Sequence, residues 1–372
     1  MKRLLIFNSL FLIISCSNNS NSTTELLNDY NTVNLELAQG FSIKQNKDGF
    51  VLSVSNSFKG NNNYNTYNLS RNNSLNKPNC IKIPVTKVIC LSATHIGFID
   101  VLNNLDKVKG ISGKHYLYNA TVLEKVKNKE IIDIGAEGNF DYEKILSLKP
   151  DVIFVFGIDQ KSLTYINKLQ NLGINTILIG EYMENTPLGK TEWIKFFSCF
   201  FDSLESGTSY FNKISASYNN LKDSIKNIKI TKPTIINGLP YNGIWYVPGG
   251  NSFMANFMKD AGADYSWVKN NETAGTPFSL EKIYENAENF DFWLNPDLAT
   301  SLNQLKKIEP RATLFKAFNN KNVYTNTKKT TPEGGNDYWE TGTVHPEIIL
   351  NDLIHIFHNN SNDSLFYFKK LH

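Results

Sequence analysis

The chain has 372 residues, 41% of them hydrophobic and 20% charged, which is enough apolar mass for two domains with a core each. A formal net charge of +3 with no Lys/Arg run argues against a nucleic-acid surface. Arginine occurs only at Arg3, Arg71 and Arg311, so lysine carries most of the positive charge and multi-Arg clamps for phosphate or catecholate are not expected.

Lys2 and Arg3 precede a largely apolar run over 4–14, too short for a permanent membrane span. Ile13-Ile14-Ser15-Cys16 resembles a lipoprotein signal peptidase box, with a small residue just before a cysteine. Residues 1–15 are therefore expected to be a signal peptide and Cys16 the lipidated first residue of the mature chain. Residues 16–32 read as a flexible tether, rich in Ser, Asn and Thr. Residues 33–79 are predicted to be a small β extension. Alternation over 41–58 brackets Asn46-Lys47-Asp48-Gly49, a hairpin signal, and one more strand is expected within 64–69. Cys80, Cys90 and Cys199 admit a Cys80–Cys90 bridge or three buried inert thiols, and their spacing is not of metal type.

From Lys87 apolar runs alternate with helical stretches. Strands are predicted at 88–91, 108–111, 131–134, 151–156 and 174–179, with helices up to Leu105 and over 141–148 and 161–172. Such alternation means a parallel sheet covered on both faces, here an α/β lobe over 80–186. Two helices over 187–230 follow. Trp193, Phe196, Phe197 and Phe200 mark the first. Leu204, Phe211, Ile214, Tyr218, Leu221, Ile225 and Ile228 recur at three- and four-residue steps and mark a second, longer one. At 204–228 it would reach about 37 Å, with Asp202 and Glu205 at capping-box spacing and Pro233 closing the region. The alternation then restarts as a second α/β lobe over 231–372. Its predicted strands are 234–236, 290–294 and 323–325, and its helices 252–261, 280–286, 302–308, 312–318 and 346–358.

The two halves echo each other. Phe140-Asp141-Tyr142-Glu143-Lys144-Ile145 and Phe278-Ser279-Leu280-Glu281-Lys282-Ile283 share Phe-x-x-Glu-Lys-Ile, and each precedes an aspartate, Asp151 or Asp291, that opens an apolar strand. Open parallel sheets bind ligands outside the carboxyl ends of their strands. Those loops are predicted at 92–95, 114–116, 135–139 and 157–160 in the first half, and at 239–250 and 328–339 in the second. Tyr116, Tyr241, Trp245, Tyr246, Tyr338 and Trp339 would line a cleft suited to a large, flat or aromatic-rich ligand.

Over residues 87–358 the chain resembles the substrate-binding lipoproteins of ATP-driven (ABC) importers that carry iron–siderophores, haem and cobalamin. The resemblance rests on the strand before Thr94, residues 139–145 with Leu148-Lys149-Pro150-Asp151, and the long helix. Trp245-Tyr246-Val247-Pro248-Gly249-Gly250, Asp260-Ala261-Gly262-Ala263 and His345-Pro346-Glu347 also fit. It implies two Rossmann-like lobes with mainly parallel sheets joined by one long helix, here with the small N-terminal β extension added. It also implies a monomer on the periplasmic side of a membrane, partnered by a permease dimer and its ATPase, with no resident cofactor and no metal site. The ligand would be a ferric siderophore first, then cobalamin or haem. Thr94, His95, Lys114, Tyr116, Glu137, Tyr241, Trp245, Tyr246, Lys328, Tyr338 and Trp339 are the expected ligand contacts. In that family glutamates at the places of Glu143 and Glu281 dock on the permease, one per lobe.

Two other classes fit less well. An enzyme needs a nucleophile, base and orienting group or a metal set, and no Gly-x-Ser-x-Gly, His-Glu-x-x-His or Gly-rich phosphate loop is present. Capture of a bare zinc or manganese ion would draw on His95, His115 and Glu137, yet the cleft loops of the second lobe offer no histidine.

Overall fold

The computed structural model describes residues 30–55, 65–72, 80–136, 138–156, 160–226, 232–296, 299–359 and 365–372. The expected signal peptide, Cys16 and nearly all of the tether lie outside the described residues, as does Glu137. Strands β1 (Asn31–Thr32), β2 (Phe41–Asn46), β3 (Gly49–Val54), β4 (Asn65–Ser70) and β5 (Cys80–Lys82) form one sheet in chain order. It is antiparallel apart from the β4–β5 pair. The β2–β3 hairpin turns where expected, its Asn46 side chain accepting the backbone N–H groups of Asp48 and Gly49 at 2.9 and 3.0 Å. This sheet is not a loose addition. Phe41, Ile43, Phe50 and Leu52 belong to the largest hydrophobic core of the molecule, and the Phe41 ring lies 4.7 Å from that of Trp193.

The N-terminal lobe runs β6 (Val88–Cys90), α1 (Ala93–Val101), β7 (Val108–Ile111), α2 (Ala120–Lys127), β8 (Ile132–Asp133), α3 (Tyr142–Leu148), β9 (Val152–Val155), α4 (Gln160–Asn171) and β10 (Thr176–Leu178). Its sheet is wholly parallel in the order β10-β9-β6-β7-β8. The order reverses between β6 and β9, which puts the crevice of such a sheet beside the loop leaving β6. Val88 and Phe154 face the main core, and Ile89 and Ile153 face a second layer with Ile145 and Leu169. Burial on both faces explains why these strands read as unbroken apolar runs. Cys80, Cys90 and Cys199 are free thiols.

Helix α5 (Pro187–Phe200) is buried along its entire length, clasped by the extension sheet, the N-terminal lobe and α6 (Leu204–Lys226). Helix α6 has 23 residues, about 35 Å at 1.5 Å per residue. Its buried Phe211, Ile214, Tyr218 and Ile225 lie on the predicted face, and Ile228 is outside the described residues. The predicted capping box is not made. Asp202 sits at a φ of 52° and its carboxylate pairs with Arg71 of the extension at 2.7 Å, so the charge ties two units together instead of capping a helix.

The C-terminal lobe contains β11 (Ile235–Asn237), β12 (Pro240–Tyr241), β13 (Ile244–Pro248), α7 (Phe253–Asp260), β14 (Gly275–Ser279), α8 (Leu280–Tyr284), β15 (Phe292–Leu294), α9 (Leu302–Ile308), α10 (Lys316–Asn319), β16 (Val323–Thr325), α11 (Asp337–Glu340), α12 (Pro346–Ile354) and β17 (Lys369–Lys370). Strands β11, β15 and β16 are parallel, and β17 adds an antiparallel edge. The Asp352 carboxylate holds the tail that carries β17, accepting the N–H groups of Phe366, Tyr367 and Phe368 at 2.7, 2.7 and 3.1 Å. Residues 239–250, expected as a cleft loop, instead form β12 and β13, which with β14 make a three-stranded antiparallel sheet.

Both lobes repeat one local device at the start of their sheets. Asp151 accepts from the backbone N–H and hydroxyl of Thr86 at 2.6 and 2.9 Å, and Asp291 accepts from the same groups of Thr234 at 2.9 and 3.0 Å. The architecture is thus α/β, two Rossmann-like lobes joined by a long helix, with a β extension packed on the junction.

Candidate functional site

The lobes meet where segments leaving the carboxyl ends of β6, β7, β10 and β16 converge. Helix α1 begins at Ser92, whose hydroxyl caps the N–H of Thr94. It packs so tightly on the C-terminal lobe that a Cβ at Gly97 would lie 2.4 Å from the Glu340 carbonyl oxygen. At Gly335 a Cβ would fall 1.9 Å from the Leu117 carbonyl oxygen. Two polar contacts cross the same seam. Tyr118 N–H donates to the Glu340 carboxylate, and the Thr191 hydroxyl to the Thr343 carbonyl, both at 2.8 Å.

Next to this seam lies a small recess of about 20 Å³, room for roughly one water molecule, walled by Lys190 of α5, Phe253 and Phe257 of α7, Tyr338 and Trp339 of α11, and Thr343. Lys190 is 8% exposed and stands in the first turn of α5. Its ammonium makes no hydrogen bond or ion pair among the described residues and faces the Phe253 ring at 5.2 Å. Burial depresses its proton affinity, offset in part by the field of Glu181. Glu181 follows β10, is 3% exposed and takes the Thr94 hydroxyl at 2.8 Å on one carboxylate oxygen. Its other oxygen has no partner among the described residues. Lys190 lines the recess among its aromatic walls, whereas Glu181 is outside that lining and holds the start of α1 through Thr94.

The expected contacts divide into three groups. Thr94 is held by Glu181 at the start of α1, and Trp339, 47% exposed, forms part of the recess wall. Tyr338 also lines it, but its body is buried against Trp339 and Phe368, so it shapes the wall from behind. Lys114 and Tyr116 project from a loop ordered by Asp133, which accepts the N–H groups of Gly113 and Lys114 at 3.3 Å. Tyr116 is 63% exposed, and its loop touches the turn at Gly334–Gly335. Tyr241 and Tyr246 are exposed on the antiparallel sheet.

Two expected positions are corrected. His95 is fully buried between Phe154 and Phe197, and desolvation lowers its imidazole to about 3. It faces the core, which also removes it from the His95, His115 and Glu137 metal set. Trp245 neighbours Tyr246 on β13, and successive strand residues point to opposite faces. Its indole is buried against Trp293 and Phe315, donating to the Asn237 carbonyl at 3.0 Å. Lys328 is exposed, and its ammonium donates to the Leu365 carbonyl of the C-terminal tail.

Glu143 and Glu281 occupy equivalent places, each second in its helix after a capping Asp141 or Ser279. Both are exposed, while the Ile145 and Ile283 that follow them are buried. Packing accounts for the isoleucines of the repeated motif but not for its glutamates.

Sequence reading missed Lys190 and Phe253. The signal for Lys190 was its place, a lysine in the first turn of a helix otherwise dominated by aromatic residues.

Comparison with known proteins agrees with the fold. An uncharacterized lipoprotein of Methanocaldococcus jannaschii is 33% identical over 288 residues, covering 75% of this chain and 66% of its own length. The chain thus spans just under two thirds of that relative. A possible iron-binding (periplasmic solute-binding) protein of Staphylococcus epidermidis has a similar fold, with a TM-score of 0.57 at 14% identity, covering 73% of this chain and 98% of the other. A periplasmic heme-binding protein of Roseiflexus gives 0.54 at 17% identity, covering 73% and 98%. Residues 88–330 match the model of the periplasmic binding protein family, and the chain belongs to that family.

Proposed function

We propose that this chain is the solute-binding component of an ABC importer, capturing an iron complex between its lobes. A ferric siderophore is the first choice of cargo, and haem or cobalamin bound in the same place is the alternative. The observation that carries the reading is the two-lobed fold of the periplasmic binding protein family, with a small recess lined by Lys190, Phe253 and Trp339 at the lobe junction. The iron- and heme-binding descriptions of the two structural neighbours support iron chemistry over a corrinoid. Bound cargo would pass to a permease dimer and its ATPase, with Glu143 and Glu281 as one docking contact per lobe. Cys16 would carry the lipid anchor on the periplasmic side of the membrane, a reading supported by the lipoprotein character of the archaeal relative. Among the described residues no helix is long and apolar enough to cross a membrane. The protein would act as a monomer that binds and releases cargo without converting it.

Titration of the purified protein with ferric chelates, haem and cyanocobalamin, followed by tryptophan fluorescence, tests the reading. One-to-one binding with the cargo recovered unchanged is expected. Chemical turnover of a bound compound, or no binding of any, would overturn it.

A further inference from the structure

Away from the lobe junction, a cavity of about 320 Å³ opens where the carboxyl ends of α6 and α7 meet the turn that extends α12. It lies by the amino end of β11, the opposite end of that sheet from the junction loops. Lys222 and Lys226 of α6, Lys232 ahead of β11 and Lys259 of α7 line it, with Asp260 as the one carboxylate among the described lining residues. His358 closes a further side, its Nε2 donating to the Ala261 carbonyl at 2.8 Å. We propose that this cavity is a second binding site, taking a multiply charged phosphoryl oxyanion.

Structural duty accounts for only half of these lysines. Lys222 pairs with Asp260 at 2.8 Å and Lys226 with Asp223 at 2.6 Å. The other Asp260 oxygen takes the Tyr218 hydroxyl at 2.9 Å, so both oxygens of that carboxylate are engaged. Lys232 and Lys259 are exposed and make no hydrogen bond or ion pair among the described residues. Helix polarity explains part of the pattern, because Lys226 and Lys259 stand in last turns, where a cation is favoured. The magnitudes still leave a surplus. Two helix ends bring roughly −0.5 charge each and Asp260 one full negative charge, against four ammonium groups. The balance is about +2 around one cavity, in a chain whose formal net charge is +3. An anion relieves the self-repulsion of such a cluster. A phosphate monoester carries about −1.5 to −2 at neutral pH, which matches the surplus where a single carboxylate does not. Lysine serves phosphate as a point charge without the fixed fork of arginine. The volume falls within the range of small-molecule sites, roughly 300–1,000 Å³.

The test is calorimetric titration of the full chain with two probes, inorganic pyrophosphate and monomeric dihexanoyl phosphatidic acid. Wild type should bind at least one of them one-to-one. Lys232→Gln with Lys259→Gln should weaken that binding by about tenfold, the scale of two partly exposed charge pairs, without lowering the melting temperature. Lys306→Gln with Lys307→Gln removes the same charge from exposed positions on α9 and should leave binding unchanged. Tighter binding of pyrophosphate assigns the site to a free phosphate compound, and tighter binding of phosphatidic acid to a lipid headgroup. Binding of neither probe overturns the inference. So does unchanged affinity in the Lys232 and Lys259 variant, or a lower melting temperature, which would make those lysines structural. Equal weakening by both double variants would reduce the attraction to overall charge and also overturn it. Cargo titrations report separately on the importer reading, and loss of cargo affinity in the Lys232 and Lys259 variant would move these lysines to the cleft and overturn the inference while that reading stands.

Discussion

Gly97 of α1 and Glu340 of α11 touch across the lobe junction, with room for a hydrogen and nothing larger at residue 97. The Glu340 side chain is fully buried there, one oxygen on Tyr118 N–H and the other without a partner among the described residues. Burial above all, with Asp337 and Asp100 adding repulsion, pushes its carboxyl from 4.5 up to about 7. A carboxyl raised in this way favours the folded state when protonated. Its contribution is full below the unfolded value of 4.5 and is lost as pH rises through about 7. Wild type should therefore lose up to about 3 kcal/mol of stability between about pH 5 and pH 8. Glu340→Gln should flatten that decline and melt higher at the alkaline end. Parallel pH profiles of the two proteins would remove Glu340 as its source.

Two tryptophans separate binding from packing. Trp339→Ala should weaken cargo binding by about 1–3 kcal/mol with little change in melting, as for an exposed aromatic anchor. Trp245→Ala should cost about 3–5 kcal/mol of stability, because it empties a core position against Trp293 and Phe315. Fluorescence titration beside thermal melts of both variants checks the split.

Glu192 should matter to folding out of proportion to its surface. Its carboxylate accepts the N–H groups of Glu36, Leu37 and Ala38 at 2.8 Å each and pairs with buried Lys195 at 2.7 Å. Glu192→Ala leaves Lys195 buried without that partner and should cost about 3–5 kcal/mol. Exposed Glu205→Ala on α6 should stay within about 0.5 kcal/mol of wild type. Denaturant unfolding of the two variants measures the difference.

Charge reversal at both rims addresses docking. Glu143→Lys with Glu281→Lys should leave folding and cargo affinity nearly unchanged, since both side chains are exposed. Uptake in cells should be abolished, because two contacts at fixed separation set orientation and speed encounter. Normal uptake by the double variant would end the docking role, and lost affinity would move these carboxylates into the cleft.

What the sequence made legible is what local periodicity encodes. The apolar spacing of Phe211, Ile214, Tyr218 and Ile225 marked the long helix, and the turn chemistry of Asn46 and Gly49 marked the first hairpin. The shared Phe-x-x-Glu-Lys-Ile announced two related lobes before any coordinate. Partnerships between distant segments left no such trace. Asp202 looks like a helix cap until Arg71 is seen beside it, more than a hundred positions away in the chain. Trp245 and Tyr246 look equally fit for a cleft until the strand assigns them to opposite faces. Lys190 and Glu192 read as ordinary helix charges, and only the extension sheet and the C-terminal lobe, folded over α5, make them buried.

The paired clasps of Thr86 with Asp151 and Thr234 with Asp291 stand at the amino ends of their strands, where β6, β9, β11 and β15 begin. The recess and the lobe contacts belong to the opposite ends. Each sheet therefore has a foundation end and a working end, wired through different residues. The loops of the working end are open to redesign for new cargo while the foundations stay as they are, and damage to a clasp should appear as a folding defect long before it appears as altered selectivity.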